Sequence, residues 1–217
     1  MKNIPNIKVS DDELKLLTTK RVYSSGGEAY ICLSPDKKTL YKIFRKGAKV
    51  VPMKENKQKK IMRLHDISLE HTVQILSTIS YDGELIGYET SYDEEDRRFY
   101  PPLFSRSQLI EKLKDAQSIL EYLNSQDITY GDVNFRNILY NRRTGKLKFC
   151  DLDNMRVGEY PIDLFILPLK NYKDMRGIDD STDAYMHSLL TLQAFDLPLF
   201  FSRPEEFNKE FEPFAVE

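Results

Sequence analysis

The chain has 217 residues, 41% of them hydrophobic and 30% charged, which is enough apolar sequence for a core and argues against general disorder. The formal net charge of −2 gives no overall attraction to nucleic acid or to an anionic membrane, and no segment approaches the length of a membrane span. Residues 1–17 lack the apolar run of a signal peptide, and two cysteines are too few for a disulfide framework, so we expect a cytoplasmic protein with reduced thiols.

The first 88 residues predict a small β-rich domain with one helix. Pro52 is suited to open a helix that runs to about His65, and Asp82-Gly83 tolerates the positive φ angles of a tight hairpin turn. Five segments rich in β-branched and aromatic residues predict short strands: 21–23, 29–33, 39–44, 73–81 and 85–88.

From residue 89 onward the pattern becomes mostly helical. The clearest helix covers residues 107–123, where apolar side chains recur at spacings of three and four after a capping box of Ser105 and Gln108. Two strands around a turn at 141–146 predict a second hairpin, and a last helix is expected to begin at Ser181 or Thr182. This order predicts an α+β fold with two lobes, residues 1–88 and 89–217, and a cleft between them.

The segment Tyr130-Gly131-Asp132-Val133-Asn134-Phe135-Arg136-Asn137 is followed, after the second hairpin, by Phe149-Cys150-Asp151. Phosphoryl transfer needs a carboxylate to accept the proton of the attacking hydroxyl and oxygen ligands for phosphate-bound metal. A loop with Asp132 and Asn137 five residues apart, and a hairpin that returns the chain to Asp151, would supply both. The simpler interpretation makes Asp132 a turn cap and Asp151 a surface acid at the end of a strand.

This segment resembles the catalytic loop of protein kinases, His-Arg-Asp-x-x-x-x-Asn, followed by Asp-Phe-Gly. The resemblance implies that Asp132 is the catalytic base and that Asn137 and Asp151 bind magnesium. Gly131 differs from the Arg of that pattern and is shared with aminoglycoside-kinase-like enzymes, which have His-Gly-Asp. Leu152 and Asp153 replace the Phe and Gly after the metal-binding aspartate.

The resemblance extends to the amino-terminal half. Ser24-Ser25-Gly26-Gly27-Glu28-Ala29-Tyr30-Ile31 is similar to the kinase glycine-rich loop, which implies that Ser24, Ser25, Gly26, Gly27 and Ile31 line a nucleotide. Lys42 lies in a β-rich segment and resembles the phosphate-binding lysine. A plain turn and a lysine on an edge strand are the alternatives.

Three further roles follow from the resemblance. The acidic partner of Lys42 is expected to be Glu55. Alignment of the apolar residues of this helix with those of the kinase helix would instead place Gln58, about one helical turn later, at the glutamate position. Residues 87–90 correspond to the hinge, where the backbone of Glu89 and Thr90 would receive adenine. Asp183 would brace the catalytic loop, or would be a plain acid at a helix amino terminus.

Together these similarities imply a two-lobed protein-kinase-like fold, with a small β-rich N-lobe and a shortened helical C-lobe, that uses ATP and Mg²⁺. We expect an atypical protein kinase acting on a hydroxyl. The alternatives are a small-molecule hydroxyl kinase of the aminoglycoside-kinase-like kind, a pseudokinase, and an enzyme that transfers AMP. Asn134, where kinases have Lys, favours a pseudokinase, whereas retention of Lys42, Asp132, Asn137 and Asp151 favours an enzyme.

The charge distribution suggests one partner surface. Residues 42–63 contain nine Lys or Arg and one acid, Glu55. A solvated helix face explains this run most simply, and a docking surface for an acidic partner at residues 54–63 is the alternative.

Overall fold

The computed structural model describes residues 4–67, 69–161 and 181–195. Within them the chain is a mixed α+β protein with four α-helices, one seven-stranded sheet and two smaller sheets. The described residues divide into two compact units, 4–96 with 141–144, and 97–140 with those from 145 onward. No helix in the described ranges is long and apolar enough to cross a membrane. The expected shortening of the C-lobe depends largely on residues 162–180 and 196–217, which lie outside the described residues.

The first unit has two helices, α1 (Asp11–Lys20) and α2 (Glu55–Ile67). Its strands are β1 (Asn6–Lys8), β2 (Val22–Ser25), β3 (Ala29–Leu33), β4 (Thr39–Lys46), β5 (Lys49–Val50), β6 (Ile75–Tyr81) and β7 (Glu84–Ser91). The sheet order is β1-β6-β7-β4-β3-β2, with β5 paired to β4. Strand β1 runs parallel to β6, and the pairs from β6 to β2 are antiparallel.

The five predicted strands correspond to β2, β3, β4, β6 and β7, and the turn between the last two is as expected. Asp82 and Gly83 have φ angles of 50° and 79°, which is the conformation that this residue pair tolerates. The helix α1 covers one face of the sheet through Leu17, which is buried with the side chains of β3, β4, β6 and β7. This core cluster comprises Leu17, Cys32, Tyr41, Ile43, Ile79 and Ile86.

The second unit is built around α3 (Arg106–Ser125) and α4 (Ser181–Phe195). Its short strands are β8 (Asp96–Arg98), β9 (Ile128–Thr129), β10 (Ile138–Asn141), β11 (Leu147–Phe149) and β12 (Arg156–Val157), of which β8 begins and β10 ends at a residue of the first unit. They form one sheet of order β11-β10-β8 and a pair β12-β9.

The predicted capping box of α3 and the predicted start of α4 are both confirmed. The Ser105 side chain accepts from the backbone N–H of Gln108, and the Gln108 side chain accepts from the backbone of Ser105, which completes the capping box of α3. The apolar face of α3 is buried, and α4 begins at Ser181. These two helices hold the segment that contains Asp132.

Candidate active site

The backbone before Asp132 is held by a buried carboxylate from α4. Asp183, which is 0% exposed, accepts the N–H groups of Tyr130 and Gly131 at 2.7 Å each, one on each oxygen. Hydrogen bonds to a charged acceptor are stronger than neutral ones. The expected bracing role of Asp183 is therefore confirmed. Gly131 has a φ of 75°, so the backbone itself favours glycine at this position.

Two asparagine amides fix the side chain of Asp132. The Nδ2 atom of Asn134 donates to Oδ1 of Asp132 at 2.5 Å, and the Nδ2 atom of Asn137 donates to Oδ2 at 2.8 Å. Asn134 also caps the short 3-10 helix Phe135–Asn137 by accepting the N–H of Arg136 at 2.9 Å. The presence of Asn134 in place of a lysine was an argument for a pseudokinase. In the structure its side chain orients Asp132, the expected base.

The hairpin of β10 and β11 joins the two expected metal ligands through the backbone. The N–H of Cys150 donates to the carbonyl of Asn137 at 2.9 Å, and Asp151 follows directly. Asp151 adopts a left-handed conformation, with φ 64° and ψ 46°, which aspartate tolerates better than most residues. Its Oδ2 accepts from Nδ2 of Asn154 at 3.2 Å.

The side chain of Tyr130 is buried beneath the loop that contains Asp132. Its side chain is 2% exposed and packs edge-on against Phe149, with ring centroids 4.8 Å apart. The hydroxyl donates to the carbonyl of Cys150. Burial raises the pKa of this phenol well above its ordinary value, so it stays a neutral donor. Tyr130 therefore joins the Asp132 loop to the residue before Asp151.

These contacts suit a hard cation. Because the Asn137 amide nitrogen donates to Asp132, the amide oxygen is not used in that contact and could serve as a metal ligand. Asp151 adds a carboxylate, and Mg²⁺ is commonly held by one or two carboxylates plus substrate phosphates. Among the described residues no group of three or more His, Cys, Asp or Glu is arranged for a metal ion, so any metal here would depend on phosphate oxygens as well.

In the first unit, Ser24-Ser25-Gly26-Gly27 forms the end of β2 and an open hairpin turn. The N–H of Gly26 donates to the carbonyl of Ala29 at 3.0 Å. A Cβ atom built on Gly26 or Gly27 would meet no atom of the described residues within 4 Å, so packing against those residues does not require glycine there. Ile31 lies on β3 opposite Lys42. The open surroundings leave room for a ligand to approach the backbone.

Lys42 lies in the middle of the sheet, which excludes the edge-strand alternative. It pairs with Ile31 of β3 on one side and with Tyr88 of β7 on the other. A Cβ atom on Gly87 would approach the carbonyl oxygen of Lys42 to 2.2 Å, so glycine is required for β7 to lie this close. The position of Lys42 is thus fixed by both neighbouring strands.

The expected ion pair between Glu55 and Lys42 is not formed in this structure. Glu55 is 78% exposed and binds Lys59 at 2.7 Å, and its pKa is lowered, first by the hydrogen bond from Lys59. Gln58 does not replace it, because its Nε2 donates to the carbonyl of Met53 at 2.8 Å. The reason is the position of Glu55 around the helix. It precedes the buried Lys57 by two residues, which is a rotation of about 200°, so the two side chains lie on opposite faces of α2.

The assignment of residues 87–90 as a hinge is also wrong. Gly87, Tyr88, Glu89 and Thr90 lie inside β7 and pair with β4 on one side and β6 on the other, so their backbone groups are used within the sheet. The Glu89 carboxylate accepts the hydroxyls of Thr39 and Ser77, both at 2.6 Å. A connecting segment begins only after Ser91.

Sequence reasoning missed Arg45, which supports the glycine-rich turn. Its guanidinium donates through Nε and Nη2 to the carbonyl of Gly26, at 3.2 Å and 2.5 Å, and through Nη1 to that of Gly47 at 3.0 Å. It also lies over the ring of Tyr30, 4.5 Å from the centroid. The alternation of side chains along β4 was the available signal, since Arg45 follows Lys42 by three residues and projects to the other face.

No protein-family model matches this chain, and no curated protein sequence matches it. A function must therefore be inferred from the chemistry of the residues that the fold brings together.

Proposed function

We propose that this chain is an ATP- and magnesium-dependent phosphotransferase, an atypical protein kinase that transfers the γ-phosphate of ATP to a hydroxyl. The observation that carries this proposal is the geometry around Asp132. Its carboxylate is fixed by Asn134 and Asn137, on a loop whose backbone is braced by Asp183, and the hairpin returns Asp151 beside Asn137. A turn cap or a surface acid needs none of this support.

The chemistry assigns one task to each residue. Asp132 accepts the proton of the acceptor hydroxyl while the oxygen of that hydroxyl forms a bond to the γ-phosphorus. The bond between the γ-phosphorus and the oxygen that bridges to the β-phosphate breaks, and ADP leaves. Lys42 supplies positive charge to the phosphates. Asn137 and Asp151 would hold magnesium, which when bound neutralises phosphate charge.

The first test is magnesium-dependent nucleotide binding by the intact protein. Isothermal titration with ATP, with and without Mg²⁺, is expected to show binding that depends on the metal. Asp151→Asn should abolish the metal-dependent part, whereas Asp127→Asn, at an acid that is 69% exposed and bound to Arg156, should leave it unchanged. Absence of ATP binding in the presence of Mg²⁺ would contradict the proposal.

The second test separates an enzyme from a nucleotide-binding module. With γ-labelled ATP, we expect label to appear on the protein, on an added acceptor or as free phosphate. Binding without any of these would favour the pseudokinase alternative. The presence of Gly131 does not favour the small-molecule kinase over the protein kinase, because its positive φ angle is by itself a reason for glycine at this position.

A further inference from the structure

The turn between α3 and β9 leads into the loop that contains Asp132. Helix α3 is followed by Asp127, which has a left-handed conformation with a φ of 59°. The N–H of Asp127 donates to the carbonyl of Asn124 at 3.0 Å, which closes the turn. Strand β9 then begins at Ile128, which is buried. The last turn of α3 therefore sets the path by which the chain enters the loop.

The side chain of Asn124 spans this turn. One end of its amide faces a carboxylate oxygen and a backbone carbonyl, and the end of an amide that faces acceptors is the NH2 group. In this orientation Nδ2 donates to the carbonyl of Ile128 at 2.9 Å and to Oδ2 of Asp183 at 3.1 Å. Asn124 therefore links α3 to β9 and to α4 through one group.

Asp183 receives the Asn124 amide on a carboxylate that also holds the loop. Its Oδ2 accepts the N–H of Tyr130 at 2.7 Å, and its Oδ1 accepts that of Gly131 at 2.7 Å. A carboxylate that is 0% exposed needs hydrogen bonds to replace the water that it has lost. The donor from α3 adds to the two backbone donors, and so it restrains the Asp183 carboxylate from rotating away from the loop.

We propose that Asn124 is a positioning residue that holds Asp183, and through it the backbone before Asp132, in the arrangement that phosphate transfer requires. This inference rests on the proposed function and deepens it. Because Asn124 acts on Asp183 and not on the nucleotide, its loss should lower turnover and leave the affinity for Mg-ATP unchanged. A displacement of about 1 Å at a reacting group can lower a rate by about 10²-fold, so a change remote from Asp132 is sufficient.

Two substitutions separate the donor from the packing of the Asn124 side chain. Asn124→Leu keeps the approximate size and removes the amide, whereas Asn124→Asp keeps the shape but turns an acceptor toward Asp183. The donor role predicts that Asn124→Asp is the more damaging, because it sets two carboxylates together. A packing role predicts the reverse order. The matched control is Gln117→Leu, at an exposed amide of the same helix that donates to Glu121 at 3.0 Å.

Hydrogen exchange of the Tyr130 and Gly131 amides, followed by NMR on the full chain, measures the brace without any need for catalysis. We expect exchange about 10- to 100-fold faster in Asn124→Leu, the scale of one hydrogen bond to a charged group, and faster still in Asn124→Asp. Amides in the sheet of the first unit are the internal reference and should change by less than about twofold. Gln117→Leu should exchange as wild type does at all of these amides.

Turnover with γ-labelled ATP is expected to fall by about 10- to 100-fold in Asn124→Leu, while titration shows an affinity for Mg-ATP within about twofold of wild type. Gln117→Leu should change neither quantity. Circular dichroism checks folding, and Asn124→Ala replaces either variant if it does not fold.

Folded variants in which the Tyr130 and Gly131 amides exchange as in wild type would overturn the positioning role and leave the proposed function intact. Equal acceleration of the reference amides would overturn it too, because it would show a general loss of stability. A greater effect of Asn124→Leu than of Asn124→Asp would assign the residue to packing. If wild type transfers no phosphate, the proposed function fails together with the catalytic part of this inference, and the exchange measurement still decides whether Asn124 holds the loop.

Discussion

Two glycine-containing loops, one at Gly26-Gly27 and one at Gly131, are supported in opposite ways. Around Gly26 and Gly27 the described residues leave open space, and the turn is held by its own hairpin bonds and by the half-buried side chain of Arg45. Around Gly131 two backbone N–H groups end on the buried carboxylate of Asp183, and the next side chain, Asp132, is held by two amides.

This difference is consistent with the proposed function. A loop that must place a base accurately benefits from contacts already formed before the substrate binds, because no reorganisation is then needed during the reaction. A loop that receives phosphates through its backbone can instead gain its last contacts from the ligand. We therefore expect changes near Asp132 to affect rate or fold strongly, and changes near Gly26 to affect nucleotide binding weakly.

The largest effect is expected for Asp132→Ala. This change should reduce turnover by about 10²- to 10⁴-fold, while ATP affinity stays within a few-fold of wild type, because the role proposed for Asp132 is that of a base toward the acceptor hydroxyl. Single-turnover rates with labelled ATP and titration with Mg-ATP separate the two quantities. A loss of ATP affinity equal to the loss of rate would mark Asp132 as structural.

The next effect concerns the brace itself. Asp183→Ala leaves the N–H groups of Tyr130 and Gly131 without their acceptor, at a cost of about 1–3 kcal/mol for each buried group. We expect the free energy of unfolding to fall accordingly and the melting temperature to drop by about 10 °C. Asp183→Asn keeps one acceptor oxygen and should be intermediate. Asp115→Ala is the control: it removes a half-buried ion pair with Lys112, which keeps Glu111 at 3.6 Å, and should cost at most about 1 kcal/mol.

Features with a local signature were predictable from sequence. Asp82-Gly83 identified a hairpin because few residue pairs accept two positive φ angles, and Ser105 with Gln108 located the start of α3. The helix α1 was not predicted, although Ser10 and Glu13 form the same kind of capping box at its start.

Features that depend on helical phase or strand length were not predictable in the same way. The apolar side of α2 was predicted from Ile61, Met62 and Leu64, and hydrophobic periodicity gives no reason to place Lys57 and Lys60 on the same buried face. The extension of β7 to Ser91 depends on pairing with β4, which is distant in sequence, as well as with the neighbouring β6, so the strand end was not evident from the local sequence. The resemblance suggested the role of Asp183, but only the fold shows that its two oxygens meet two adjacent N–H groups.

A smaller effect is expected at the first loop. Arg45→Met removes the donors to Gly26 and Gly47 at a half-buried position, so we expect Mg-ATP to bind roughly three- to tenfold more weakly with little change in melting temperature. Arg45→Lys keeps the charge but cannot bridge both carbonyls, and should resemble Arg45→Met. Full recovery by lysine would show that charge, and not the support of the turn, matters here.

The smallest effect is expected at Tyr160, the only hydroxyl in residues 154–160. In kinases switched by phosphorylation, an Arg before the catalytic Asp pairs with the new phosphate and orders the segment. Here that position is Gly131, and its N–H is already bound by Asp183 without any phosphate. Arg156, the nearby cation, is engaged with Asp127 at 2.9 Å and with Thr129 at 3.0 Å. Tyr160→Phe and phosphatase treatment should each leave initial rates within about twofold of wild type, and a drop of about tenfold in either would show that the segment is a switch.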